Sequence, residues 1–287
     1  MKDIDYPALH QSASDISKES QDAFFLVFFG HMAMLTLATA ISIYNSAEPG
    51  WAIIQAMVLF GALACAIHLY LVRPDRDWYA GRAVAESVKT ITWRYITKAE
   101  PFDNSDAIDA NNFSQRLKFI VNENRQISGK LISKLAEKQI SDEMIRVRSE
   151  SLTARQEYYR DHRIMDQLHW YAKKAAYNTK MVKRYFRTLL VVLGTAIVFA
   201  IAKIRFPDIS YWPTDLFVTL AAALLSWIQA KRFQDLSVSY ALTAHEIGII
   251  RQRTAFAMNT KDFSDFVGDA ENAFSREHTQ WIARQDQ

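Results

Sequence analysis

The sequence predicts an all-α integral membrane protein with four transmembrane helices in two hairpins and a cytoplasmic helical bundle whose long helices continue out of the membrane. Three observations predict this. Apolar residues are half of the 287, and they are pooled into four uncharged blocks while the rest of the chain is heavily charged. Outside the blocks, apolar side chains recur every three or four residues, the helical period. No proline or glycine falls between Ser141 and Gly194, so one helix is predicted from Ser141, a plausible N-cap, into the third block. The mean hydropathy of -0.10 looks soluble only because it averages over these two kinds of segment.

Composition excludes several classes. With ample apolar surface to bury and a single cysteine, the chain is neither disordered, collagen-like nor disulfide-stapled. Its 34 basic and 31 acidic side chains leave a net charge of +3, which is no argument for nucleic acid binding.

The first block lies between Asp22 and Glu48 and includes Phe24 to Phe29 and Met34 to Ile43. At about 1.5 Å rise per residue it can cross a hydrocarbon core of roughly 30 Å, as a span over about 23–46. Pro49-Gly50 forms a turn into a second span, 51–72, which ends at Arg73-Pro74. The third and fourth spans, about 185–204 and 214–231, have shorter uncharged stretches, Thr188 to Ala202 and Leu216 to Ala230. A membrane hairpin is favoured over a soluble one because Arg187, Lys203 and Lys231 can snorkel from the ends. Tyr211-Trp212 also sit between the runs like an interfacial belt.

Basic residues set the expected orientation. None lies in the 47–50 connection, whereas Arg73, Arg76 and Arg82 follow the first hairpin. Lys173, Lys174, Lys180, Lys183, Arg184 and Arg187 precede the second, and Lys231-Arg232 follow it. Both termini and the long middle segment are therefore expected in the cytoplasm of a multi-pass plasma-membrane protein. Lys203 and Arg205 run against this, with Asp208 and Asp215 nearby. Residues 1–21 are polar and acidic, so no signal peptide is visible.

A shift of about 160 positions superposes the hairpins, laying Trp51 on Tyr211 and Glu86 on Glu246. This coarse repeat divides the chain into two expected domains, 1–138 and 139–287. Beyond the spans, Val84, Val88, Ile91 and Tyr95 mark one amphipathic helix, and Phe113, Leu117, Ile120, Ile127 and Leu131 another. The cytoplasmic helix 141–183 carries Met165, Leu168, Ala172, Ala175, Thr179 and Val182 at coiled-coil spacing. A last helix places Phe263, Val267, Ala270, Phe274, His278 and Trp281 on one stripe, and Pro101 to Asn112 reads as a loop.

Catalytic signals fail on spacing. His245-Glu246 would need a histidine at 249 to form a zinc-protease helix, and Ile249 stands there. The eight glycines are scattered, so there is no phosphate-cradling loop. Cys65, three residues before His68, reads as a packed thiol. Neither an enzyme, a metal nor a cofactor is expected.

Polar residues inside the spans carry more information, because lipid-facing polar atoms are costly. Thr219, Ala223, Ser226 and Gln229 share one face of the fourth span, and Gly61, Cys65 and His68 share one of the second. Two readings stay open. The stripes serve close helix packing, or several copies assemble so that a stripe lines a hydrated path, with Asp215 at the outer mouth, Gln229 towards the inner one, and His31 and His68 as further lining candidates.

The segment DWYAGRAVAESVKTITWRY (77–95), followed by Pro101-Phe102, resembles the region after the first hairpin of the SLATT proteins, two-helix membrane effector domains associated with SMODS nucleotidyltransferases and SLOG sensors. QISDEMIRVRSESL (139–152), YYRDHRIMDQLHWYAKKA (158–175) and AENAFSREHTQWIARQ (270–285) resemble the rest of a tandem pair of such domains. Carried over position by position, the patterned residues are Trp78, Arg82, Glu86, Trp93 and Arg94, then Tyr159, Arg163, Gln167, Trp170, Tyr171 and Lys174, then Glu277, His278 and Trp281. Their chemistry suits a cytoplasmic docking network in which Glu86 or Glu277 pairs with Arg82, Arg94 or Arg163. A pocket for a phosphorylated messenger on Arg163, Lys174 and Arg94 is the functional alternative.

The resemblance implies a bacterial inner-membrane effector of antiphage and conflict systems, acting as a homo-oligomeric pore or leak. Because the chain carries no recognisable sensor, activation is expected from a separate partner or a nucleotide second-messenger synthase. A membrane-anchored scaffold that recruits a partner enzyme, or a housekeeping ion channel, are the competing expectations.

Overall fold

A computed structural model describes residues 5–43, 49–132, 134, 136–254 and 258–283, with side chains followed to 275. The described residues contain no strand. Their helices are α1 (Ala8–Ile43), α2 (Pro49–Val72), α3 (Pro74–Thr97), α4 (Asp106–Glu123), α5 (Arg125–Ser128), α6 (Asp142–Ser149) and α7 (Leu152–Tyr159), then a π-helical turn Arg160–Ile164, α8 (Met165–Arg205), α9 (Thr214–Lys231), α10 (Phe233–Arg253) and α11 (Thr260–Ala283). The all-α class and the four long apolar helices agree with the sequence.

Two compact units emerge, and each gathers segments distant in sequence. One comprises 1–21, 75–174 and 239–287, and the other 22–74 and 175–238. The second holds the four apolar blocks. Only 6–11% of the residues in each most apolar window are buried. Leu26, Phe60, Tyr70, Val191 and Ile204 stand out from it at 69–81% exposure. A water-soluble core would turn such side chains inward, whereas a lipid solvent needs no such arrangement.

The repeat recurs in the backbone. α2 is followed by Arg73 and α9 by Arg232, and both arginines adopt the left-handed conformation with φ 50°, an uncommon state for a side chain with a Cβ. In each case a further helix begins at the next residue, α3 at Pro74 and α10 at Phe233. The two hairpins are thus left by the same backbone device 159 positions apart.

Three local expectations are corrected. The helix expected to run unbroken from Ser141 is interrupted at Glu150 and Ser151, both extended. Ser141 does cap its helix, accepting from the Met144 N–H at 3.2 Å, but Ser151 caps a new one by accepting from Ala154 N–H. A serine that satisfies orphan helix donors competes with its own helical continuation, so a break needs no proline. From Leu152 the chain then stays helical to Arg205.

The loop expected over 101–112 ends at Ser105, because α4 opens with Asp106 and carries Asp109 in its first turn. Carboxylates there complement the exposed N–H groups of a helix start. The seam expected on α8 is also displaced. Ala172 and Thr179 are exposed, while Gln167, Tyr171, Ala175 and Asn178 are buried. Ala175 keeps its expected place on the inner face, and Gln167, Tyr171 and Asn178 join it there, while Met165, Leu168 and Val182 are half-buried.

In the first unit the core is aromatic. Trp93, Ile96, Phe102, Phe113, Tyr159, Phe263 and Phe266 are almost wholly buried, as the stripes Val84–Val88–Tyr95 and Phe113–Leu117 require. α1 and α3 approach so closely at Gly81 that a Cβ there would lie 2.9 Å from Ala13 O and Ser17 N. Only glycine permits that crossing.

Candidate functional site

The four spans pack through a few specific contacts within their own unit. Trp227 of α9 rests among Phe25, Phe28 and Phe29 of α1, with ring centroids 5.7, 6.4 and 6.0 Å away. Its indole N–H donates to Tyr185 OH at 3.2 Å. Lys231 caps this cluster, its ammonium 3.2 Å from the Phe25 ring centroid and 4.9 Å from that of Trp227. An ammonium at the end of an apolar helix gains from a ring face what it loses in water.

Polar groups in the spans mostly find partners there. The His31 ring nitrogen Nδ1 lies 2.8 Å from Ala62 O of α2. Gln55 donates to Ala38 O at 3.1 Å, and the Thr39 hydroxyl to that of Thr219 at 3.3 Å. Such bonds hold helices together where no hydrophobic force acts between them. His31 and Thr219, expected as lining candidates, therefore face neighbouring helices of the same chain. Asp215, Gln229 and His68 are exposed, and Ser226 is half-buried. Cys65 sits by the Gly30 position at 3.9 Å, which fits a packed thiol. The small stripe of α2 also meets α1 at Gly61, where a Cβ would press on Met34.

The first unit is organised by two buried ion pairs. Arg163 is 1% exposed and forks onto Glu271, with Nε donating to Oε1 at 2.8 Å and Nη2 to Oε2 at 2.7 Å. Tyr159 OH adds a bond to the same carboxylate at 2.9 Å, and the Phe274 ring lies 4.8 Å from the guanidinium carbon. Burial pulls the guanidinium down, but the Glu271 charge and its hydrogen bonds outweigh that and hold it above its ordinary value. Burial, with the Glu271 charge behind it, pushes the Tyr159 hydroxyl well up. The pair sits at the π-helical turn, the geometry that turns Arg163 and Ile164 together into the core.

The second pair closes the end of α3. Arg148 donates to Asp109 Oδ2 at 2.6 Å, to Asp106 Oδ1 at 2.9 Å and to Tyr95 O and Phe102 O. Arg155 donates to Thr97 O. Two arginines from α6 and α7 thus satisfy carbonyls that a helix end leaves without partners. The Arg148 hydrogen bond holds the Asp106 carboxyl below the usual carboxylate range.

The patterned residues are distributed as follows. Trp93 donates to Tyr6 OH at 2.9 Å, and Arg94 to Asn272 Oδ1 at 2.7 Å and Gly268 O at 3.2 Å. Trp170 and Tyr171 both pack on Tyr240, and Lys174 lies over Trp170. Trp78 and Gln167 are buried, and Arg82 and Glu86 are half-buried on α3. The carboxylate that Arg163 takes is Glu271, where Glu86 or Glu277 was expected. The side chains of Glu277, His278 and Trp281 lie outside the described residues. Arg163, one of the three residues of the alternative messenger pocket, has its charge met by Glu271 and is sealed from solvent.

Glu271, Arg148, Arg155 and Asp109 were not singled out from the sequence. A signal existed for two of them. Asp109 precedes Phe113 and Leu117 by helical steps, and Glu271 lies between Ala270 and Phe274, so both acids stand on apolar faces and require a buried cation.

Comparison with known families bears on all of this. Residues 7–156 match the model described as SMODS and SLOG-associating 2TM effector domain 3. Residues 159–281 match SMODS and SLOG-associating 2TM effector domain 1. No curated protein and no solved structure gives a significant match. The two matches together cover most of the chain and follow its duplicated hairpins, and so the chain belongs to the SLATT family, as two tandem two-span effector domains associated with SMODS and SLOG conflict systems.

Proposed function

We propose that the chain is a bacterial inner-membrane effector of an antiphage or conflict system, which assembles as a homo-oligomer and opens a pore or leak when a separate sensor or nucleotide signal engages its cytoplasmic helices. The observation that carries this reading is the pairing of effector-domain identity with spans whose flanks are almost entirely uncovered in one chain. Four helices with bare sides have surface left for neighbours, and a hydrated path needs more polar lining than one hairpin pair supplies. On α9 the exposed Asp215 and Gln229 and the half-buried Ser226 supply it. Both termini lie in the cytoplasm by the basic-residue asymmetry. Activation redistributes two packings of the cytoplasmic helices that differ by a few kcal/mol, an amount within reach of differential ligand binding.

The test is ion or dye release from liposomes carrying the purified chain, with its activating partner. Ser226→Leu and Gln229→Leu are expected to suppress release with insertion unchanged. Undiminished flux in both variants removes α9 from the path. Membrane potential that survives induced expression of the activated system replaces the leak with an anchoring role.

A further inference from the structure

α8 carries a second feature that conduction does not explain. No acidic residue occurs between Asp166 and Asp208, although Lys180, Lys183, Arg184 and Arg187 crowd the approach to the third span. All four are exposed. Among the described residues none of them forms an ion pair, whereas at the end of α9 Arg232 pairs with Asp235 at 3.2 Å and Lys231 lies over aromatic rings. Arg187 Nε is taken by Lys183 O at 3.1 Å, but its terminal nitrogens and the Arg184 fork meet no carboxylate among the described residues, which leaves donors in the geometry a phosphate accepts.

Position on the helix gives the group a direction. Lys180, Arg184, Arg187 and Val191 follow one another at four, three and four residues and so share a stripe. That stripe lies opposite the one formed by Ala175, Asn178, Val192 and Ala196, which is buried in the unit. Arg184, Arg187, Thr188 and Val191 border a shallow open recess. Beyond it the same face turns mainly apolar, with Val191 and Val198 largely exposed and the Thr195 hydroxyl between them donating back to Val191 O at 2.9 Å. Paired guanidinium groups above a bare apolar strip match a molecule with an anionic head and a hydrocarbon tail.

We propose that this face of α8 binds an anionic phospholipid, its phosphate held by Arg184 and Arg187 with Lys180 contributing charge, and its acyl chain laid along Val191 and Val198. A second copy of the chain does not fit by the same face, because identical cationic clusters would repel across a two-fold contact. A soluble acidic protein would match the arginines but not the apolar strip below them. The proposal requires the spans to lie in lipid and does not require them to conduct.

The detergent-solubilised full chain is titrated with phosphatidylglycerol, with phosphatidylcholine and with inorganic phosphate, and the thermal midpoint is followed. Phosphatidylglycerol is expected to raise it and phosphatidylcholine is not. Arg184→Gln combined with Arg187→Gln is expected to weaken the phosphatidylglycerol response about 30-fold, the scale for two basic residues at an anionic surface. Lys203→Gln combined with Arg205→Gln, at the other end of α8, leaves it unchanged, and circular dichroism confirms helicity in both variants. An equal response in the 184/187 variant, an equal response to phosphatidylcholine, or a rise of the same size with inorganic phosphate overturns the proposal. Flux is not measured, so this outcome and that of the leak assay are independent.

Discussion

Replacing Glu271 by Gln tests the ionic core of the first unit most severely. The carboxylate accepts three hydrogen bonds, two from the Arg163 fork and one from Tyr159, and is itself fully buried. Glutamine preserves its shape but removes the charge, and it turns a donor towards Arg163 Nη2. The guanidinium then stays buried without a counter-charge. Breaking one side of a buried pair costs about 3–5 kcal/mol. For a unit of about 170 residues this lowers the thermal midpoint by about 6–20 °C. The assay is thermal unfolding of the detergent-solubilised full chain, followed by circular dichroism, with Arg163→Met and the double variant alongside. The double variant is expected to lose less than the two single losses combined, because it leaves no orphan charge. A loss below about 3 °C in Glu271→Gln, or strict additivity in the double variant, refutes the reasoning.

Three other outcomes follow from the packing and charge. Gly81→Val places a side chain against α1 backbone that cannot swing aside, so it costs about 1–3 kcal/mol, while Gly248→Ala, with open space around it, does not destabilise; thermal midpoints of both variants check this. Thr39→Cys with Thr219→Cys, in a Cys65→Ala background, is expected to form an intrachain disulfide on mild oxidation, since the hydroxyls lie 3.3 Å apart; its absence on a non-reducing gel after protease nicking contradicts the α1–α9 contact. Arg148 holds Asp106 and Arg146 holds Glu143 below the ordinary carboxylate range, so the unfolded state binds the more protons, and this stability is present above about pH 4 and lost as pH falls through the lower folded values. Tyr158, pushed up to about 12 chiefly by burial, has the opposite sign, its contribution being lost as pH climbs from about 10 to 12. A pH series of thermal midpoints reads both limbs, and a midpoint that rises on acidification below pH 4 contradicts the first.

Much of the fold was legible because lipid and water impose different patterns. The uncharged blocks give α2 and α9 to within two residues of the expected 51–72 and 214–231, and helical stripes give the core of α3, α4 and α11. α1 and α8 were harder to bound, since each continues well beyond its apolar block, α1 from Ala8 and α8 from Met165. No change of period marks where a helix passes from a polar to an apolar setting. The break at Glu150–Ser151 was missed because serine tolerates both helix and cap, and only the competition among Ser149, Ser151 and the Arg155 bond to Glu150 O decides it. The buried ion pairs were half-legible. Arg163 was visible in its motif, but its partner lies 108 residues away, and sequence spacing cannot choose among acids at that distance.

The central claim, that all four apolar helices cross a bilayer with the hairpin tips opposite the basic ends, is tested most directly by labelling single cysteines in intact cells, in a Cys65→Ala background. Tyr211→Cys, at the tip between α8 and α9, is expected to react with a membrane-impermeant maleimide without permeabilisation, and Ser151→Cys only after it. Tyr211→Cys protected until the membrane is opened would place the second hairpin on the cytoplasmic side and contradict the account.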